Sequence, residues 1–205
     1  MEKNTLQRLR AEERRLRQQV IIDSARRMFG QENYQRVSMA DIAKDAGIAK
    51  SSIYTYFKSQ EELFARVVYL DGEMLISDLS RRIKGQGKAG LKIVISQFLD
   101  YYIQHKAQWR MITHLALNGS KEKAAIKDLN QSGVQLLDLF ESIFTEMGCT
   151  MKTRYKAHAL LSCLSGILIS FRNIPGRSEA HRIAHMHLMG GILEDMILAL
   201  IEKED

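Results

Sequence analysis

Cysteine and proline are almost missing from this 205-residue chain, which contains two cysteines, Cys149 and Cys163, and one proline, Pro175. Two cysteines at this spacing supply neither a zinc site nor a disulfide framework, and we expect both to be buried thiols of a cytosolic protein. No run of 18 uncharged apolar residues occurs, and the N-terminus is too charged for a secretory signal. The sequence therefore predicts a cytoplasmic protein without a membrane partner.

Strand-like alternation is also missing, whereas apolar residues recur three and four positions apart along almost the whole chain. This spacing predicts an all-α fold. Glycine turns and serine caps separate the predicted helices. We expect a first helix at 5–29, whose firm part is 19–29, and further helices at 38–46, 50–57, 59–84, 88–105, 107–117, 121–147, 151–173 and 179–203.

Positive charge is concentrated at the N-terminal end of the chain. Residues 1–60 contain 12 Lys/Arg and 7 Asp/Glu, a net charge of +5 out of +6 for the whole chain. This asymmetry indicates a polyanionic partner. Five arginines between Arg8 and Arg17 make residues 1–18 an arginine-rich arm, for which we expect phosphate or minor-groove contact. A solvated or frayed extension of the first helix is the alternative.

A helix-turn-helix pattern lies between Ser38 and Phe57. Ser38 is placed to cap a helix of about two turns, and Gly47 supplies the tight turn before the next helix. At about 100° per residue, Ile53 and Phe57 share the buried face of that second helix, while Thr55 points the opposite way.

The outward face of this short helix suits the DNA major groove. Small hydroxyl side chains let a helix approach base edges, while flanking tyrosines, lysines and the amides of a helix start reach phosphates. The predicted DNA-binding residues are Ser38, Lys50, Ser51, Ser52, Tyr54, Thr55, Tyr56 and Lys58. A polar surface helix with half-buried tyrosines is the alternative interpretation.

The segment IIDSARRMFGQENYQRVSMADIAKDAGIAKSSIYTYFKSQEELF closely resembles the N-terminal domain of the tetracycline-repressor (TetR) family of bacterial transcriptional regulators. The matching residues are Ala25, Phe29, Tyr34, Ser38, Ile42, Ala43, Ala46, Gly47, Ile48, Lys50, Tyr54, Tyr56, Phe57, Glu61, Glu62 and Leu63. Gln60 departs from the family pattern, because it stands where a lysine is frequent and so removes a possible phosphate charge.

The resemblance implies a repressor that binds a palindromic operator as a homodimer and leaves it when a small, largely apolar molecule binds. It divides the chain into the arm (1–18), a helix-turn-helix domain (19–66), and an effector-binding and dimerisation domain (67–205). It implies no cofactor and no catalytic residue. The alternatives are a ligand-independent activator or architectural regulator, and an enzyme on a borrowed fold. For the enzyme, the sequence offers no nucleophile elbow or paired catalytic motif.

By the same resemblance, the last two helices form a four-helix bundle across the dimer axis. Apolar residues repeat at three and four in both helices, which independently favours a seam for helix pairing. The predicted dimer residues are Leu161, Leu164, Leu168, Phe171, Ile183, Met186, Gly190, Leu193 and Ile197. A core within one chain is the alternative.

An effector pocket is expected among the apolar and aromatic residues of the central helices. Its predicted lining is Phe98, Tyr102, Trp109, Met111, His114, Phe140 and Phe144. Plain core packing of the segment around Trp109 is the alternative. His181 and His185 share a helix face, as metal ligands can, and His187 is nearby. No Cys, Asp or second histidine pair lies near them in sequence, so we expect histidines on the surface of a dimer helix and no metal site.

Overall fold

The structure is a computed structural model that describes residues 2–32, 34–119 and 122–202. All regular secondary structure in these residues is helical, which confirms the predicted all-α class. A 3-10 helix (Tyr34–Arg36) follows the first α-helix. The α-helices are α1 (Glu2–Gln31), α2 (Met39–Asp45), α3 (Lys50–Ile53), α4 (Gln60–Ile83), α5 (Lys88–Gln104), α6 (Lys106–Asn118), α7 (Lys123–Glu146), α8 (Thr153–Phe171) and α9 (Glu179–Ile201).

Most helix bounds lie within a few residues of those expected, and α3 differs in length. α1 is one continuous helix that includes the arginine-rich arm. α3 is shorter than expected, because residues 54–56 form a hydrogen-bonded turn instead of continuing the α-helix. The predicted start of the seventh helix at residue 121 and the last predicted helical residue, 203, lie outside the described residues.

The chain divides into two compact units. The N-terminal unit contains residues 1–70 and 106–129, and the second unit contains residues 71–105 and 130–205. This division differs from the predicted one, because residues 106–129 join the N-terminal unit. α4 and α7 each begin in the N-terminal unit and end in the second unit.

The N-terminal unit has its own hydrophobic core. Ile21, Ala25 and Phe29 of α1 pack with Ile42 of α2 and Phe64 of α4, and Leu115 of α6 joins the same cluster. Across α4 and α7, Arg66 Nε lies 3.0 Å from the buried Asp128 carboxylate, which supplies the partner that a buried charge needs.

In the second unit, α9 packs on α5 and α8. Gly190 makes the contact with α5 possible: a Cβ at this position would lie 2.8 Å from Leu99 Cδ1 and 3.0 Å from Ile95 Cγ2. Among the described residues, α9 is the helix that is long and apolar enough to cross a membrane by length and composition alone.

The expectation of two buried thiols is wrong for Cys163. Cys163 is exposed on α8, and Cys149 is half-buried. Spacing along the sequence could not locate Cys163, because α8 has apolar or small residues around much of its circumference.

Candidate DNA-binding surface and effector unit

The start of α2 is fixed by a capping box. The Ser38 hydroxyl accepts a hydrogen bond from the Asp41 backbone N–H (3.2 Å) and donates one to the Asp41 carboxylate (2.6 Å). The Ser38 backbone N–H also donates to this carboxylate (3.1 Å). These hydrogen bonds hold the pKa of Asp41 below its usual value. Ser38 thus has a local structural role, and its predicted phosphate contact stays a prediction.

The turn between α2 and α3 depends on Gly47. Its φ of +67° lies in the left-handed region that glycine tolerates best. The following Ile48 N–H donates to the Ala43 carbonyl (2.9 Å), which closes the end of α2. α3 then starts at Lys50, and the Ser52 backbone N–H donates a hydrogen bond to the Ala49 carbonyl (2.9 Å).

The residues after α3 continue its surface as a tight turn. Thr55 N–H donates to the Ser52 carbonyl (3.1 Å) and Tyr56 N–H to the Ile53 carbonyl (3.0 Å), three residues back in each case. Tyrosine and threonine have lower helix propensity than straight-chain residues, which favours this tightening. The turn changes the helical geometry beyond Ile53, while Tyr54 and Thr55 remain exposed.

The burial pattern of this segment matches the helical wheel. Ile53 and Phe57 are buried in the core of the N-terminal unit. Ser52 and Tyr56 are half-buried. Within this segment, the predicted contact residues that are exposed are Lys50, Ser51, Tyr54, Thr55 and Lys58. The segment therefore presents a surface of hydroxyl, phenol and ammonium groups on a rigid apolar base.

Gln60 has a role that the sequence did not reveal. Its side-chain N–H₂ donates to the carbonyls of Tyr34 (2.8 Å) and Val37 (2.6 Å), so it ties the start of α4 to the 3-10 helix. Tyr34 in turn packs edge-on against Phe64, with ring centroids 4.4 Å apart. The residue at the position where the TetR family frequently has lysine is thus a structural support of the N-terminal unit.

Arg14 is the second residue whose position sequence reasoning missed. Its guanidinium donates to the Thr55 carbonyl (3.3 Å) and lies 5.5 Å from the centre of the Tyr56 ring. The available signal was spacing: Arg14 is seven residues before the buried Ile21, so both lie on nearly the same face of α1. The arm is therefore in direct contact with the α3 turn.

The residues predicted to line one pocket lie in two different units. In the second unit, Phe98 packs against Tyr102 and Phe140 with ring centroids 4.8 and 5.9 Å apart, and Phe144 is buried as well. Burial raises the pKa of Tyr102. Trp109 and His114 belong to the N-terminal unit, where His114 packs on Tyr34 (5.7 Å). The side chain of Met111 lies outside the described residues.

An open cavity of about 570 Å³ lies between α4 and α7 within the second unit. Its lining is more polar than the predicted pocket: serine, amide and carboxylate groups surround a few aliphatic side chains. The lining residues are Glu73, Ile76, Ser77, Ser80, Ile83, Lys84, Gln135, Asp138, Leu139, Ser142 and Glu146.

The predicted dimer seam needs correction. Leu164, Leu168, Met186, Gly190 and Leu193 are buried within the single chain, so a second chain cannot cover them without unfolding this packing. For these five residues the alternative, an intrachain core, is correct. Leu161, Phe171, Ile183 and Ile197 are half-buried.

A different apolar face of the last two helices is exposed. It contains Leu188 (60% exposed), Ile192 (43%) and Met196 (59%) of α9, and Ile169 (61%) of α8. The small residues Ala159, Ser162, Gly166 and Gly191 lie exposed on the same two helices. We call these eight residues the outer seam.

The three neighbouring histidines of α9 have separate partners. The His181 ring meets the Ser178 hydroxyl (2.8 Å), the His185 ring packs on Phe171 (4.5 Å), and His187 Nε2 lies 3.0 Å from Asp100. Their side chains are thus accounted for by contacts within the chain.

Comparison with known proteins agrees with this architecture. The sequence profile of the bacterial regulatory proteins of the tetR family matches residues 21–67. An HTH-type transcriptional regulator of Staphylococcus aureus (strain bovine RF122 / ET3-1) is 25% identical over 187 residues, which cover 91% of this chain and 95% of that protein.

Solved structures with the same fold include the transcriptional regulator FadR from Bacillus subtilis in complex with stearoyl-CoA. It has a TM-score of 0.67 and 20% identity, and the match covers 85% of this chain and 96% of that one. The fatty acid degradation regulator FadR from Bacillus halodurans also has a TM-score of 0.67, with 17% identity and coverage of 87% and 94%.

Proposed function

Because the chain belongs to the TetR family of bacterial transcriptional regulators, we propose that it represses transcription by binding a palindromic operator as a homodimer. The observation that carries the proposal is the exposed polar surface of Lys50, Ser51, Tyr54, Thr55 and Lys58 on a buried base. We assign the protein to the cytoplasm, where its DNA target lies, and assign no catalytic step to it.

The side chains of this surface divide into two roles. Ser51 and Thr55 are short, so they let the segment enter the major groove and bring hydroxyl groups to base edges. Lys50 and Lys58 carry charge at the two ends of the segment and suit phosphates, which fix the protein on DNA without reading sequence.

These roles are tested on an operator selected from a random duplex library. Thr55→Ala is expected to reduce discrimination between the selected duplex and a scrambled one by about 1–3 kcal/mol per lost base contact. Lys58→Ala is expected to weaken binding to both duplexes equally. Fluorescence titration of both variants on both duplexes measures the difference. A change of sequence preference in Lys58→Ala alone would reverse the assignment.

The outer seam supports the homodimer. Two helix-turn-helix units read two half-sites about 34 Å apart, one turn of DNA, so a palindromic operator requires two protomers related by a two-fold axis. Exposed apolar faces on two long neighbouring helices suit a four-helix bundle between protomers.

We further propose that a small molecule in the second unit releases the operator. α4 starts at Gln60, four residues after Tyr56, and continues into the second unit as one helix. A tilt of α4 would change the spacing of the two recognition segments (residues 50–58 of each protomer) in a dimer. A change of a few ångströms in this spacing would prevent both segments from docking on DNA at once. The buried cluster of Phe98, Tyr102 and Phe140 supplies apolar surface, and the α4–α7 cavity supplies polar groups.

Stearoyl-CoA is the first probe, because FadR from Bacillus subtilis binds it within the same fold. Coupling of about 1–3 kcal/mol would weaken operator binding by about 5- to 150-fold, and DNA would weaken ligand binding by the same factor. Coenzyme A and stearate separately serve as controls for the two halves of the probe. Operator binding that no probe or wider screen alters would favour the ligand-independent alternative.

A further inference from the structure

We propose that the N-terminal half of α1 is a second DNA-binding element, in which Arg10 and Arg14 contact phosphates beside the bases faced by the α3 turn. This inference rests on the proposed function, because it extends the same DNA interface. The arm, which the sequence alone left open between a DNA contact and a frayed extension, is part of one helix that runs from Glu2 to Gln31.

The arm lies beside the recognition segment. Arg14 contacts both the Thr55 carbonyl and the Tyr56 ring, so this turn of α1 lies directly beside the surface expected to enter the groove. Arg10 is four residues earlier on nearly the same face of α1, which places it about 6 Å further along the helix axis. The arm therefore carries positive charge past the end of the recognition segment.

The arginines of the arm differ in whether a carboxylate already neutralises them. Arg15 is paired with Glu12 (2.7 Å) and Arg17 with Glu13 (2.8 Å). These pairs occupy both glutamates of residues 5–17. Within the described residues, Arg10 has no carboxylate partner, and Arg14 contacts a carbonyl and an aromatic ring instead of a carboxylate.

The exposure and charge of the arm indicate which kind of partner it binds. Side chains 5–17 are all exposed, and Arg14 links this stretch to the α3 turn. The segment is continuous with the DNA-facing surface, and residues 1–20 carry six Lys/Arg against three Glu. A regular polyanion that already lies against the α3 turn fits both observations.

Salt dependence of binding to a mixed-sequence 30-bp duplex tests the proposal, because phosphate contacts do not depend on the operator. Each lost contact is expected to reduce the slope of log affinity against log salt by about 0.9. Arg10→Gln is therefore expected to bind more weakly than wild type near 50 mM salt, and this gap in affinity is expected to narrow by about 3.5-fold near 200 mM. Arg10→Gln combined with Arg14→Gln is expected to lose twice as much slope.

Arg15→Gln is the matched control, since it removes the same charge from the same helix. Arg15 is about 140° around α1 from Arg10 and is already paired with Glu12. Its slope is expected to equal that of wild type, and circular dichroism checks that all variants keep their helix content.

Three outcomes would overturn the proposal. Equal slopes for Arg10→Gln and wild type would make the arm a solvated helix, and equal losses for Arg10→Gln and Arg15→Gln would indicate only a general charge effect. A change of sedimentation coefficient in the Arg10 variant without DNA would indicate a protein partner. Failure of the proposed function would look different from these outcomes. In that case wild type would bind no duplex at all.

Discussion

At the scale of single residues, Gln60 shows how one side chain can support a recognition surface that it does not belong to. Its amide donates to two carbonyls of the segment before α2, and the Tyr34 carbonyl also accepts from the Val37 backbone N–H (3.3 Å). A partly buried carbonyl that loses its donor costs free energy, since water cannot fully replace the bond.

We therefore expect Gln60→Leu to lower the free energy of unfolding by about 1–3 kcal/mol. Urea titration followed by circular dichroism measures this change. Gln60→Lys is the informative companion, because an ammonium group keeps donors in place and restores the charge that the family pattern has at this position. It is expected to lose less stability than Gln60→Leu. Equal stability of wild type and Gln60→Leu would contradict a supporting role for the two bonds.

Gly190 is a second residue whose substitution is expected to change stability, because it lies against α5. A Cβ there would meet Leu99 Cδ1 at 2.8 Å and Ile95 Cγ2 at 3.0 Å. Gly190→Ala is expected to cost about 1–3 kcal/mol, since two well-packed side chains of α5 must move. Thermal unfolding checks it against Gly133→Ala, whose Cβ would meet nothing within 4 Å.

The Gly133→Ala control is expected to stabilise α7 by up to about 1 kcal/mol, because alanine is the better helix former. If both alanine variants gained stability equally, the α5–α9 contact would be looser than the structure shows.

At the scale of elements, α2 depends on the ionised form of Asp41. Hydrogen bonds from Ser38 lower the pKa of Asp41 in the folded state below its unfolded value near 3.8. The contribution of Asp41 to stability is therefore present above that pH and is lost as the pH falls through the folded pKa. The stability difference between wild type and Asp41→Asn is expected to be larger at pH 7 than near pH 3.

Urea midpoints of both proteins at the two pH values measure the difference. Glu32→Gln serves as the control, since no ion pair or hydrogen bond of the Glu32 carboxylate occurs among the described residues. A gap between wild type and Asp41→Asn that stays constant with pH would mean that the capping box does not need the charge.

The elements also show where sequence patterns stop being informative. Ile53 and Phe57 could be placed on the buried face because apolar spacing reports burial directly. The length of α3 could not, because the turn at Tyr54, Thr55 and Tyr56 keeps the same residues exposed as a helix would. The contact of Arg14 with Thr55 and Tyr56 joins residues about 40 apart, and no local pattern specifies such a pair.

At the scale of the whole molecule, long-range packing decided what periodicity left open. His114 and Trp109 looked equally suited to a core or a pocket, and the contact of His114 with Tyr34 places its helix in the N-terminal unit. α9 is the clearest case. Met186, Gly190 and Leu193 on one face, and Leu188, Ile192 and Met196 on another, both have helical spacing. Only the packing on α5 decides which set is internal.

Because the first set is used inside the chain, the outer seam is the face that remains for a second protomer. Leu188, Ile192 and Met196 are 43–60% exposed, so burying the rest of each would contribute roughly half of the 1.5–3 kcal/mol of a fully exposed side chain. Ile192→Lys is therefore expected to convert the dimer to a 23.5 kDa monomer in sedimentation velocity, because it puts a charge into the contact. Operator affinity should fall with it, since a monomer reaches only one half-site. Leu117→Lys changes a side chain that is 83% exposed on α6 and should leave both properties unchanged. A monomeric wild type, or an Ile192→Lys protein that stays dimeric, would exclude the outer seam as the dimer contact. An α9 that instead binds lipid vesicles would assign its exposed apolar face to a membrane.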